Sequence, residues 1–233
     1  MILRIFSLFV ALTVAAHAAG KRQFRTLYYG KPSGAPESLT LTYGGNAVVV
    51  PLPQANLSPA QPLPGGALEA LFSSQPIPPK TEIPANIPKA EIPDSWTDIL
   101  FLFTPDPANT TAPVRVTALD LGSEKFKPGQ LLFFNRSQAS IAGRVGKQTL
   151  KLGPMKSGYV DIPADGDSDY PVSIDMMLPG EKEQKTLCRS TWRQTKEDKM
   201  LVFVIPDPVR KSLSIASVPI HPLPPDKDKD KAE

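Results

Sequence analysis

No window of this 233-residue chain sustains an apolar stripe at helical spacing, and that absence limits the fold more than any single residue does. What replaces it is a succession of short apolar or alternating runs: 24–29, 38–43, 47–52, 99–103, 114–121, 130–134, 149–152, 158–162, 170–178, 199–205 and 212–218. Val114-x-Val116 and Leu213-x-Ile215 alternate as half-buried strands do. Turn residues such as Gly44-Gly45-Asn46, Val145-Gly146-Lys147 and Asp165-Gly166 separate the runs. The best helical attempt, residues 66–72, amounts to two turns at most. The pattern predicts an all-β fold.

Within it the chain repeats a grammar. Leu27-Tyr28-Tyr29-Gly30 is echoed by Leu132-Phe133-Phe134-Asn135, 105 positions later. Trp96 precedes the apolar run 99–103 and Pro105-Asp106-Pro107; Trp192 precedes the run 200–205 and Pro206-Asp207-Pro208, 101 positions on. Landmarks in the same order at near-constant offset predict an internal duplication. Units of this size suit two tandem immunoglobulin-like β-sandwich domains, over residues 19–121 and 122–220, the second entered through Lys127-Pro128-Gly129. One continuous sandwich is the alternative. In this reading each Trp packs into a core or sheet edge, and each Pro-Asp-Pro sends the chain out of one sheet, because proline cannot donate to a ladder.

Two stretches fall outside the grammar. Residues 51–95 carry eleven prolines and repeat Ile-Pro at Ile77, Ile83, Ile87 and Ile92. That composition predicts an extended proline-rich insertion in the first domain, lying along it with its isoleucines turned down. Pro59-x-x-Pro62 makes it formally a proline-motif ligand for a partner. Residues 221–233, with alternating Asp and Lys, predict a disordered charged tail.

The N-terminus reads as an export signal over residues 1–18: a cationic start at Arg4, an apolar run over 5–16, and Ala16-His17-Ala18 before the cut. A dozen apolar residues are too few to span a bilayer, which needs roughly 20. The expected location is periplasmic or secreted, with a bacterial host preferred. Removing the signal takes away Arg4 alone among the charged residues and leaves 25 Lys and Arg against 23 Asp and Glu. So balanced a chain has no broad field for nucleic acid or anionic lipid. Cys188 has no cysteine partner in the chain, which predicts a fold that stands without an internal disulfide and a thiol that acts as a small buried hydrophobe. Asn56, Asn109 and Asn135 open glycosylation sequons, short triplets that also arise by chance.

Little catalytic chemistry is available. After signal removal one histidine remains, His221, at the edge of the tail, so Ser-His-Asp catalysis and His/Cys metal sites lack ligands. Asp165, Asp167 and Asp169 alternate as calcium ligands do, but Tyr170 and Met176 stand where an EF-hand loop needs Gly and Glu. Arg189, Arg193 and Lys196 flank Trp192 and read as a solvated face. No catalytic, cofactor or metal residue is assigned, and no cofactor is expected.

By exclusion, the expectation is an exported, non-enzymatic binding or scaffolding protein whose partner is another envelope protein or an extracellular polymer. The competing class is a carboxylate-dependent glycan hydrolase, which needs two convergent carboxylates in a pocket, one of them shifted upward. A third reading docks the chain into an exported assembly through its proline-rich segment.

Overall fold

The computed structural model describes residues 22–78, 81–122, 126–162, 169–193, 195–207 and 212–220. The signal, Asp165 and Asp167, Pro208, His221 and the tail lie outside the described residues. Those that are described form sixteen strands and no helix.

The first half contains β1 (Gln23–Tyr28), β2 (Ser38–Tyr43), β3 (Asn46–Pro51), β4 (Gln61–Pro62), β5 (Leu68–Ser73), β6 (Lys89–Ile92), β7 (Asp98–Pro105) and β8 (Val114–Asp120). The second contains β9 (Gln130–Asn135), β10 (Ser140–Val145), β11 (Gln148–Leu152), β12 (Ser157–Asp161), β13 (Asp169–Met177), β14 (Lys185–Arg193), β15 (Lys199–Asp207) and β16 (Ser212–Ile220). Four sheets result, with orders β4-β1-β7-β8, β3-β2-β5-β6, β12-β9-β15-β16 and β11-β10-β13-β14. Adding eight to each strand number of the first pair gives the second pair. Even the parallel pairing recurs, β1 with β7 and β9 with β15. The two halves share one topology.

The registers correct the alignment of the halves. Phe24 pairs with Ile99 and Leu131 with Met200, so the opening strands correspond at an offset of 107 rather than 105. A slip of two keeps every side chain on its own face, which is why the sequence match survived it. The tryptophans are not equivalent: Trp96 sits in the turn after β6, whereas Trp192 lies inside β14. Each still packs against the core of its own half. Nor does Pro-Asp-Pro carry the chain out of a sheet. Pro105 pairs with Val114 and Pro206 with Leu213, so each of these prolines stays in the ladder with the next strand of the same sheet.

The proline-rich stretch is not an insertion. It supplies β4, β5 and β6, the counterparts of β12, β13 and β14. From the start of β5 to the end of β6 is 25 residues, and from the start of β13 to the end of β14 is also 25. The first half spends fifteen of them on the connection, residues 74–88, and the second only seven. Prolines that cannot donate to a ladder cut this hairpin short and turn its end into a loop. The strand β5 also occupies the segment that offered the best helix.

Side-chain alternation stacks the four sheets. Phe24 and Tyr28 on β1, with Ile99, Phe101 and Phe103 on β7, face a core shared with Leu39, Leu41 and Phe72 of the outer sheet. Leu131 and Phe133 on β9, with Val202 and Val204 on β15, do the same toward Ile141, Val172 and Ile174. The alternate residues point the other way and meet one another. Leu27, Leu100 and Leu102 form a third cluster with Leu132, Phe134, Leu201 and Phe203. Phe203 stacks on Phe134 and on Tyr29, at ring-centroid distances of 5.4 and 4.7 Å. Strands buried on both faces read as unbroken apolar runs, and β7, β9 and β15 do, whereas Arg25 and Thr26 interrupt β1. The chain is a stack of four sheets, with two inner sheets joined across an apolar layer and two outer sheets facing away.

Candidate functional site

Two places concentrate charge. The first lies where the halves meet. Asp98 opens β7, Arg25 stands on β1, and Lys199 opens β15 from the other half. Arg25 Nη1 lies 3.8 Å from Asp98 Oδ2. Lys199 Nζ donates to the Leu121 carbonyl at 2.6 Å and sits 5.2 Å from the centre of the Phe126 ring. Burial pushes the Asp98 carboxyl up and Asp120 adds to it, while Arg25, Lys199 and a hydrogen bond from Gln23 pull it down. Burial pushes Lys199 down, against the pull of Asp98 and Asp120. This is a compensated ionic joint, with one cation of the second half set into an acidic corner of the first.

The second place is an outer face. Counting from the hairpin turns gives matched positions. Gly44-Gly45 turns β2 into β3 with positive φ at both glycines, and Gly146-Lys147 turns β10 into β11 with positive φ at the first position. Thr42 then corresponds to Arg144 and Val49 to Lys151. Through the next pairings Ser73 corresponds to Asp175 and Glu91 to Thr191. The outer face of β11-β10-β13-β14 presents Arg144, Lys151, Arg189 and Arg193 against Asp169 and Asp175. Its counterpart presents Lys89 against Glu69 and Glu91. Identical topology therefore carries opposite charge.

The faces differ in cover as well. Ile77, Pro78, Thr81 and Ile83 of the long connection lie against part of the outer face of the first half, where they share a depression of about 470 Å³ with Thr42, Glu69 and Leu71. Thr40 and Leu71, both on that face, are buried. The seven-residue connection of the second half leaves Arg144, Lys151 and Arg189 exposed. Arg189 lies down on its sheet: Nη2 donates to Asp175 Oδ1 at 2.6 Å, and Nη1 to the carbonyls of Cys188 and Ile174 at 2.9 and 3.1 Å. Among the described residues neither Arg144 nor Lys151 has an ion pair. Beside them a depression of about 350 Å³ crosses the strands over the small side chain of Ala142, between Lys151 and Asp175.

Most residues singled out from the sequence lie away from both places. Trp192, partly buried, stacks on Phe133 at 6.3 Å against the second core, and Cys188 is half-buried there, its thiol pushed up by burial. Asn135 is fully buried: Nδ2 donates to Ala139 and Gly153 carbonyls, and Oδ1 accepts from Ser137. Such a side chain is structural. Asn109 Nδ2 donates to the Asn86 carbonyl, and Asn56 is exposed. Pro59 and Pro62 are exposed at the β4 edge. Arg189 and Arg193 do lie on an exposed face, as expected; Lys196 follows β14, near Glu197. Among the described residues no three His, Cys, Asp or Glu side chains gather as metal ligands would. Sequence reasoning missed Arg144 and Lys151. The signal was available in the two glycine hairpins, aligned position by position.

Comparison with protein-family models and with curated proteins gave no match.

Proposed function

We propose that this chain is an exported, non-enzymatic binding or scaffolding protein, acting in a bacterial periplasm or outside the cell. Its halves meet near residue 121 and are immunoglobulin-like in size and in their two-sheet build, with a strand order of their own. It engages an envelope or extracellular partner through the outer face of the second half. The observation that carries this reading is the contrast between matched faces: one acidic and partly overlaid by Ile77, Pro78 and Ile83, the other cationic with Arg144 and Lys151 exposed. A structural need for cations on that sheet would apply to both halves.

The test is elution from a sulfonated cation exchanger. R144E/K151E should elute at clearly lower salt than K127E/K156E, which makes the same charge change at exposed positions elsewhere. Elution of both variants together would remove the face from consideration. Mass analysis of the product exported from a bacterial host should find an N-terminus at Ala19.

A second reading, the glycan hydrolase, draws on Asp98. Its upward-shifted carboxyl lies beside Asp120, two positions after Trp96. Arg25 and Lys199 at the same corner favour an ionic joint instead. Hydrolysis of a glycan by the wild type that Asp98→Asn abolishes would establish the hydrolase.

A further inference from the structure

We infer that the bare outer face of the second half binds a linear carboxylated polysaccharide, laid across the strands through the depression over Ala142. This rests on the reading of that face as the binding surface and assigns its ligand. The depression is lined by Ser140, Ala142, Lys151, Asp175, Met177 and Gln184 among others. Lys151 supplies the cation for a carboxylate. Ser140, Gln184 and Asp175 offer donors and acceptors for hydroxyls, and half-exposed Met177 gives an apolar surface for the C–H face of a ring. Arg144 stands one strand from Lys151 and two residues along, roughly 8 Å away by strand geometry. Its guanidinium is free among the described residues to take a second carboxylate in a two-point contact.

Charge density separates this ligand from the other polyanions. A DNA duplex carries one charge per about 1.7 Å, far denser than cations roughly 8 Å apart. The depression also has no aromatic side chain on which a base would stack, because Trp192 points into the core. An anionic bilayer would want apolar residues to insert, and this face offers Met177 alone among its exposed large hydrophobics. A polymer with one carboxylate per sugar and many hydroxyls matches both the sparse cations and the polar lining.

The experiment is affinity electrophoresis of the mature full-length chain in gels containing polygalacturonate, its methyl-esterified neutral form, or duplex DNA, with flotation on phosphatidylglycerol vesicles beside it. Polygalacturonate should retard the wild type, and the neutral form should not. R144E/K151E should weaken the retardation about tenfold or more, and K127E/K156E by no more than about threefold. R144Q/K151Q, which adds no repulsion, should lie between. Equal loss in both glutamate variants, undiminished retardation of R144E/K151E, or binding of DNA or vesicles in place of polygalacturonate would overturn the inference, as would no retardation at all. If the cation-exchange difference holds while polygalacturonate fails, the face survives and the ligand falls; if both fail, the binding-face reading falls with it.

Discussion

Lys199, on the first residue of β15, donates its ammonium to the Leu121 carbonyl at 2.6 Å, and so ties the second half to the end of the first. The two residues are 78 positions apart, and between them the chain builds most of the second sandwich. The bond sits at the rim of the apolar layer formed by Leu27, Leu102, Leu132 and Phe203. Apolar packing holds the inner sheets together without fixing a direction. The ammonium and the carboxylates around it add direction.

Lys199→Met keeps an unbranched side chain one atom shorter and removes its charge. It leaves the Leu121 carbonyl without its donor and Asp98 without one of its two cations. A loss of about 1–3 kcal/mol is expected in urea unfolding. A variant as stable as the wild type would mean that the ammonium is idle.

Asp98 gives the joint a pH dependence. Its carboxyl is pushed up in the folded protein, chiefly by burial. A raised acid binds its proton more tightly folded than unfolded, so lowering the pH through that interval favours the folded state. The wild type should therefore gain stability relative to Asp98→Asn as the pH falls from about 7 to about 4. A stability gap that stays constant, or moves the other way, would contradict this environment for Asp98.

Much of this fold was legible in the sequence, and the reasons are local. Residues 99–103 and 131–134 are unbroken apolar runs because their strands are covered on both faces, and no helix competes for them. β14 was legible only as an exposed strand around Trp192, without bounds, because Lys-Thr-Leu-Cys-Arg-Ser-Thr-Trp-Arg is an edge strand with little to bury. β10 was missed because Gly143 interrupts it, and β5 and β6 because prolines surround them. The apolar layer between the halves was out of reach: a run tells that both faces are covered, not by what. Arg144 and Lys151 look like ordinary solvated residues until each is set beside Thr42 and Val49.

Gly143 marks a close approach of β10 to β13. A Cβ there would run into the Ser173 carbonyl oxygen, beside the register shift between Ile174 and Asp175. Backbone cannot step aside as a side-chain tip does. Gly143→Ala should cost about 2–4 kcal/mol and loosen the outer sheet of the second half. Thermal melting checks the first, and amide exchange on β10 and β13 the second.

Tyr170 should respond in the opposite direction. Its hydroxyl is buried with no hydrogen-bond partner among the described residues, and burial pushes its pKa up to about 12. Removing an unsatisfied polar atom relieves its desolvation cost. Tyr170→Phe is expected to stabilise the protein by about 0.5–2 kcal/mol in urea unfolding. A clear loss of stability would reveal a partner for the hydroxyl.

The two tryptophans, one packed against each sandwich core, make the union of the halves directly measurable. Trp96→Phe leaves Trp192 as the sole reporter of the second half, and Trp192→Phe leaves Trp96 as that of the first. In each single-tryptophan variant the urea transition followed by fluorescence should coincide with the one followed by far-ultraviolet circular dichroism, because a shared apolar layer makes unfolding all-or-none. Fluorescence that reports one half melting while circular dichroism still records the other as folded would contradict a single four-layered body.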